Sequence, residues 1–133
     1  MNTTIRIIDG QVYDPKNSVD GKVQDIYIKD GKIVKESSDK GREINAKGMI
    51  VMPGGIDPHV HLGGSRVDDY TSGSASALAG GITTISNFGG VEPGGSPVAA
   101  STRAASLINA QAIADVIFHP IISDPATATP DTL

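Results

Sequence analysis

The residues of this sequence best suited to chemistry are two histidines, His59 and His61, separated by a single residue. They follow the apolar run of residues 48–52 and precede a glycine-rich loop. In a β-strand, side chains two residues apart point to the same face, so both imidazoles could ligate one cation. The alternative is that they are two unrelated polar residues at the end of a strand.

Length and composition limit the class of protein. A chain of 133 residues with 38% hydrophobic and 20% charged residues is typical of about one globular domain. The net charge of −4, without clusters of Lys or Arg, gives no sign of nucleic-acid or membrane binding. Because cysteine is absent, a transition-metal site would use histidines and carboxylates. The sequence shows no secretion signal or membrane-length apolar run, and we expect a cytoplasmic protein.

Residues 4–52 alternate short β-branched runs with turn dipeptides, which predicts a small antiparallel sheet or sandwich. Asp9 and Gly10 are predicted to reverse the chain after the first run. Asp30 and Gly31 form a strong two-residue hairpin signal between two further strands. No residue in this segment suggests catalysis, so we expect its role to be structural.

The periodicity changes after Pro53. A strand that reaches His61 is followed by a helix that Asp68 or Asp69 could cap. The next segment, residues 82–88, is a nearly continuous β-branched run, which is typical of a parallel strand buried on both faces. The elements after residue 53 therefore begin with the order strand, helix, strand.

A second helix is predicted to begin at Pro97, with one apolar stripe formed by Val98, Ala105, Ile108 and Ala112. A third strand follows at residues 115–119, closed by Pro120. The order β-α-β-α-β predicts an α/β fold with parallel strands. Residues 129–133 read as the opening turn of another helix, so we expect the chain to be a fragment of a longer protein.

These motifs resemble a known family. Residues 48–61, GMIVMPGGIDPHVH, resemble the start of the metal-dependent amidohydrolase superfamily. Residues 68–73, DDYTSG, and residues 77–85, ALAGGITTI, are similar to its cyclic-amide hydrolase branch. That branch includes dihydropyrimidinases (D-hydantoinases among them), allantoinases and dihydroorotases.

The resemblance implies a fold and a domain organisation. Residues 53–133 would form the first βα units of a truncated (β/α)8 TIM-type barrel. Residues 1–52 would form the N-terminal part of a small β-sandwich domain. His59 and His61 would then lie toward the C-terminal end of the first barrel strand, where the active sites of such barrels collect.

The resemblance also implies the chemistry. It implies two divalent metal ions, with zinc expected, bridged by a carboxylated lysine outside this chain, and hydrolysis of a ring amide by metal-activated hydroxide. His59 and His61 would hold the first ion, and no catalytic residue is expected within these 133 residues, which are predicted to be inactive and poorly folded alone. Asp57 is expected to orient the strand or a ligand, with a plain turn role as the alternative, and His119 to be a core residue.

The loop formed by Leu62, Gly63 and Gly64 is expected to contact the substrate. Dihydroorotases typically carry an arginine at the position of Gly63, where it binds the substrate carboxylate. Its absence here favours a neutral hydantoin or dihydropyrimidine ring, unless Arg66 reaches in from the loop. Residues 92–96, EPGGS, also resemble dihydropyrimidinases.

Three points stay open in the sequence. These enzymes more often carry aspartate where this chain has Asn87, and the sequence assigns that change no role. A non-catalytic dihydropyrimidinase-like scaffold is the alternative from another class, and an allantoinase or dihydroorotase is the alternative within the branch. The expected partner is a small cyclic amide or ureide substrate, and the full-length protein is expected to form a homo-oligomer, a dimer or tetramer.

Overall fold

The computed structural model describes residues 4–39, 41–65 and 67–124, and the chain divides into two compact units, Met1–Pro53 and Gly54–Leu133. No helix in the described part of the chain is long and apolar enough to cross a membrane. The helix start predicted at residues 129–133 lies outside the described residues. The assignment of residues 1–52 and 53–133 to a sandwich and a barrel domain stays a prediction.

The first unit contains a five-stranded sheet. Its strands are β1 (Thr4–Asp14), β2 (Val19–Lys29), β3 (Lys32–Val34), β4 (Arg42–Asn45) and β5 (Ile50–Val51), with a 3-10 turn at Pro15–Asn17. The order is β3-β2-β1-β4, and β5 also pairs with β1. β2 is antiparallel to β1 and β3 as predicted, but β4 and β5 run parallel to β1. The expectation of an antiparallel sheet is wrong for these two strands, because the chain crosses from β3 at one edge to the other side of β1 and does not return by a hairpin.

The two turn dipeptides of this unit behave differently. The sequence predicts a reversal at Asp9 and Gly10, but β1 continues through them with a β-bulge, and the pairing with β2 shifts register between Ile7 and Gly10. Asp9 has a φ of 59°, a left-handed conformation that aspartate tolerates, so the strand absorbs the extra residue without ending. The hairpin at Asp30 and Gly31 is confirmed, since their φ values of 50° and 74° are both positive, as a type I′ turn requires.

The second unit confirms the predicted β-α-β-α-β order. Its elements are β6 (Gly55–Val60), α1 (Tyr70–Ala79), β7 (Ile82–Gly90), α2 (Pro97–Gln111) and β8 (Asp115–Ile121). The three strands form one parallel sheet in the order β6-β7-β8. β8 runs through Pro120, which the sequence predicts to end it. Proline lacks only the backbone N–H, and the pairing of β8 with β7 continues past it to Ile121, so the missing donor does not end the strand.

The cap of α1 is Asp69, one of the two predicted candidates. Its carboxylate accepts the backbone N–H of Ser72 at 2.6 Å, and this hydrogen bond holds the pKa of Asp69 below its ordinary value. Asp68 instead accepts the Ser72 hydroxyl at 3.3 Å. The helix therefore begins directly after the loop that carries the glycines.

The buried face of α2 differs from the predicted stripe. The predicted positions are exposed or half-buried: Val98, Ala105, Ile108 and Ala112. The buried positions carry small residues: Pro97, Ala100 and Ala104. Helix α2 packs against α1 and β8, and small side chains at the buried positions suit a close helix contact.

Candidate metal centre

His59 and His61 lie together at the C-terminal end of β6. The pairing with β7 is interrupted between Asp57 and Val60, so the chain leaves the regular ladder where the histidines stand. Their ring centroids are 5.2 Å apart and the rings meet edge to face at 69°. Both side chains are exposed, so the two imidazoles are accessible to an ion from solution.

The ring of His61 is held by one specific hydrogen bond. Its Nδ1 lies 2.8 Å from the backbone carbonyl oxygen of Phe88 on the neighbouring strand β7. A carbonyl oxygen only accepts, so Nδ1 carries the proton and donates it. The lone pair of neutral His61 therefore lies on Nε2, which is the nitrogen available to a metal.

His59 is positioned by two other contacts. Its ring stacks on the ring of Phe88, with centroids 4.4 Å apart and 24° between the planes. Its backbone N–H donates to the Asp57 carboxylate at 3.1 Å. Asp57, which the sequence singles out as a residue that could orient a ligand, thus contacts His59 through the main chain.

His119 lies on the far side of Phe88 from His59. Its ring stacks on Phe88 at 4.6 Å and 17°, and its Nε2 is 3.4 Å from the Ser86 hydroxyl. It is half-buried, so its assignment as a core residue stays a prediction. Among residues 4–39, 41–65 and 67–124, no group of three or more His, Asp or Glu side chains surrounds a possible ion.

The loop after His61 rests on α1. Gly63 has a φ of 79°, and a Cβ atom there would lie 2.8 Å from Cε2 and 3.0 Å from Cζ of Tyr70. Glycine is therefore required by both the backbone and the neighbouring ring. Gly64 is exposed, the assignment of this loop to substrate contact stays a prediction, and Arg66 lies outside the described residues.

Asn87 is the residue of this region to which sequence reasoning assigned no role. Its side chain is fully buried on β7, where its Oδ1 accepts the backbone N–H of Leu62 at 2.7 Å. Its Nδ2 donates to the Tyr70 hydroxyl at 3.1 Å and approaches the Leu62 carbonyl at 3.5 Å. Burial raises the pKa of Tyr70, and the hydrogen bond from Asn87 partly offsets this. The signal in the sequence was an amide inside a β-branched strand.

The donor set agrees with the chemistry of a divalent transition metal. Two imidazoles are borderline ligands that suit Zn²⁺ and its neighbours. Nε2 of His61 is not used by the contact with Phe88, and the ring of His59 lies 5.2 Å from that of His61. Zinc sites in proteins use three or four protein ligands. The described residues thus supply part of such a set, and further ligands must come from elsewhere.

Comparison with known proteins identifies the same region. The sequence model of the Amidohydrolase family matches residues 42–116, more than half of the chain. The chain is 52% identical to Protein FwdA of Methanocaldococcus jannaschii over 62 residues. It is 39% identical to a dihydroorotase of Streptococcus pneumoniae over 94 residues. It is also 39% identical to a dihydropyrimidinase of Arabidopsis thaliana over 97 residues. These matches cover 47%, 65% and 65% of this chain, and 11%, 22% and 18% of the relatives.

A solved structure extends the likeness to nearly the whole chain. The crystal structure of a D-hydantoinase superposes with a TM-score of 0.77 at 33% identity, covering 98% of this chain and 29% of that one. This likeness confirms the predicted fold class, the start of a (β/α)8 barrel preceded by strands of a β-sandwich. The chain belongs to the amidohydrolase family.

Proposed function

We propose that the full-length protein hydrolyses a ring amide at a metal centre held in part by His59 and His61. The observation that carries the proposal is the state of the imidazole pair. The backbone carbonyl of Phe88 accepts a hydrogen bond from Nδ1 of His61, so the lone pair lies on Nε2, and the exposed ring of His59 is 5.2 Å away. The family membership and the D-hydantoinase likeness support hydrolysis as the reaction class.

The described residues have binding and orienting roles in this reaction. Divalent ions, with zinc expected, would lower the pKa of a coordinated water toward ~7 and polarise the ring carbonyl. His59 and His61 would bind one ion, and Phe88 would fix both rings through its stack and its carbonyl. A carboxylated lysine that bridges two ions, the other ligands and the residue that moves the proton would come from outside this chain.

We further propose a neutral ring, a hydantoin or dihydropyrimidine, as the substrate. The loop position where dihydroorotases carry an arginine is Gly63, and its φ of 79° and the nearby Tyr70 ring leave no room for a larger residue. This chain therefore offers no cation at that position for a substrate carboxylate. Leu62, Gly63 and Gly64 would instead contact the ring itself.

Two alternatives remain open. The identity with dihydroorotases favours a ring that carries a carboxylate, and the 52% identical relative has a name that specifies no substrate. A non-catalytic scaffold of the same fold would keep the barrel but bind no metal. The domain division at residues 52 and 53, the homo-oligomer and the cytoplasmic location also stay predictions.

The test is metal content and turnover measured on the same samples of the full-length protein. We expect about two divalent ions per chain and hydrolysis of dihydrouracil or hydantoin faster than that of dihydroorotate. A His59→Ala/His61→Ala variant should lose metal and turnover, whereas a His119→Ala control should keep the metal. A folded wild-type protein without metal or turnover would refute the hydrolase and favour the scaffold, and faster turnover of dihydroorotate would refute the neutral ring.

A further inference from the structure

The carboxamide of Asn87 contacts both backbone polar groups of one residue in the candidate site, Leu62. Its Oδ1 accepts the N–H of Leu62 at 2.7 Å, the shortest of its three contacts, while its Nδ2 is 3.5 Å from the Leu62 carbonyl oxygen. The side chain is completely excluded from solvent, and Tyr70 satisfies the remaining donor at 3.1 Å. A polar group this deeply buried is costly unless each contact is made, so its geometry is well defined.

The Leu62 N–H that donates to Asn87 belongs to the peptide bond between His61 and Leu62. A hydrogen bond to this peptide fixes its plane, and the plane sets the ψ angle of His61. The next residue of β7, Phe88, fixes the other end of His61 by accepting from Nδ1 at 2.8 Å. Two consecutive residues of β7 thus hold the backbone and the ring of the same histidine.

We propose that Asn87 is a positioning residue for metal binding by His61, an inference that rests on the metal site proposed above. Without the Leu62 contact, the chain after Val60 loses its anchor on β7, so the Cα of His61 can shift and its ring no longer keeps Nε2 in one position. Groups that orient metal ligands in this way typically contribute 10–100-fold to metal affinity. The loop beyond His61 needs the same anchor, because Leu62 also packs against Gly73 of α1, where a Cβ atom would overlap its side chain.

The hydrogen-bonding pattern predicts which replacements preserve this role. Asn87→Leu keeps the branched shape and the number of side-chain heavy atoms but removes the acceptor for the Leu62 N–H. Asn87→Asp keeps that acceptor, and the Tyr70 hydroxyl can turn to donate to it. The proposal therefore predicts loss of ordered metal binding in Asn87→Leu and rescue in Asn87→Asp.

A matched control lies on α1. Ser74 is also fully buried, and its hydroxyl donates to the Tyr70 carbonyl and accepts the N–H of Ile113 at 3.0 Å. Ser74→Ala removes buried hydrogen bonds of the same unit without contacting the peptide after His61. A loss of stability alone should therefore appear in Ser74→Ala as in Asn87→Leu, but the loss of metal affinity should not.

The experiment uses the full-length protein, stripped of metal and titrated with Zn²⁺ against a competing chelator. The visible absorption spectrum of the Co²⁺-loaded protein and thermal unfolding are recorded on the same variants. We expect a 10–100-fold weaker Zn²⁺ affinity and an altered Co²⁺ spectrum for Asn87→Leu, with near wild-type values for Asn87→Asp and Ser74→Ala. If Asn87→Leu fails to fold, Asn87→Ser, which is too short to reach the Leu62 N–H, replaces it with the same expectation.

Each outcome has one meaning. Wild-type affinity and spectrum in the folded Asn87→Leu or Asn87→Ser variant would overturn the role of Asn87 and leave the metal site standing. Equal losses in Ser74→Ala would overturn it as well, since general stability would then explain the effect. Failure of Asn87→Asp to restore binding would overturn the Leu62 contact as the cause. A wild-type protein that binds no metal would overturn the proposed function together with this inference.

Discussion

Replacing Gly63 by alanine tests whether the loop after His61 is built as the structure shows. The φ of 79° at this position lies in the left-handed region, which costs a residue with a Cβ roughly 1–2 kcal/mol. The added atom would also lie 2.8 Å and 3.0 Å from two ring atoms of Tyr70, an overpacking that typically costs about 1–3 kcal/mol. We therefore expect Gly63→Ala to lower the free energy of unfolding by about 2–5 kcal/mol.

Gly81 provides the matched control for this prediction. Its φ of 82° is nearly the same, but a Cβ there would meet no atom within 4 Å. Gly81→Ala should therefore show only the conformational cost, roughly 1–2 kcal/mol. Urea unfolding of both variants in the full-length protein, followed by circular dichroism, gives the comparison. If Gly63→Ala is no more destabilising than Gly81→Ala, the contact between the loop and Tyr70 is refuted.

Three further predictions concern stability. The pKa of Asp25 is lowered mainly by its hydrogen bond from the Arg6 guanidinium. The stability that this carboxylate contributes is therefore present above the unfolded pKa of 3.8 and lost as the pH falls. Urea unfolding at pH 3 and pH 6 should show less acid destabilisation in Asp25→Asn than in the wild type. Burial raises the pKa of Tyr70 above its ordinary value of 10.0, so the unfolded chain loses this proton before the folded protein does. Stability should therefore fall as the pH rises past 10, and Tyr70→Phe should reduce that fall in alkaline melting curves. Gly89→Ala would place a Cβ 2.5 Å from the Phe118 ring and should cost about 1–3 kcal/mol in urea unfolding, whereas Gly90→Ala, with no atom within 4 Å, should be nearly neutral.

Features encoded by neighbouring residues could be predicted from the sequence. The hairpin at Asp30 and Gly31, the cap at Asp69 and the alternation of strands and helices depend on residues a few positions apart. The pairing of His59 with His61 is of the same kind, because spacing along one strand brings the rings together. Each of these features therefore leaves a readable local pattern.

Features decided by packing partners could not be predicted in this way. The reversal expected at Asp9 is replaced by a bulge because β2 continues to pair on both sides of it. The buried face of α2 is set by close approach to its neighbours, so Ala100 and Ala104 are buried while Val98 is exposed. The role of Asn87 depends on a backbone group 25 residues away, and its sequence neighbours give no indication of that contact.

The geometry of the histidine pair itself comes from a departure from regular structure. On a regular strand, backbone positions two residues apart are separated by about 6.6 Å. The ring centroids of His59 and His61 are 5.2 Å apart, with 69° between the planes, and the strand around them is irregular. The backbone pairing with β7 is interrupted after Asp57, and hydrogen bonds to side chains hold the chain in place there instead. Asp57 takes the free N–H of His59, while Asn87 and the carbonyl of Phe88 hold His61 and the peptide after it. The metal-binding properties of the pair should therefore respond to changes in β7 as well as to changes in the strand that carries the histidines.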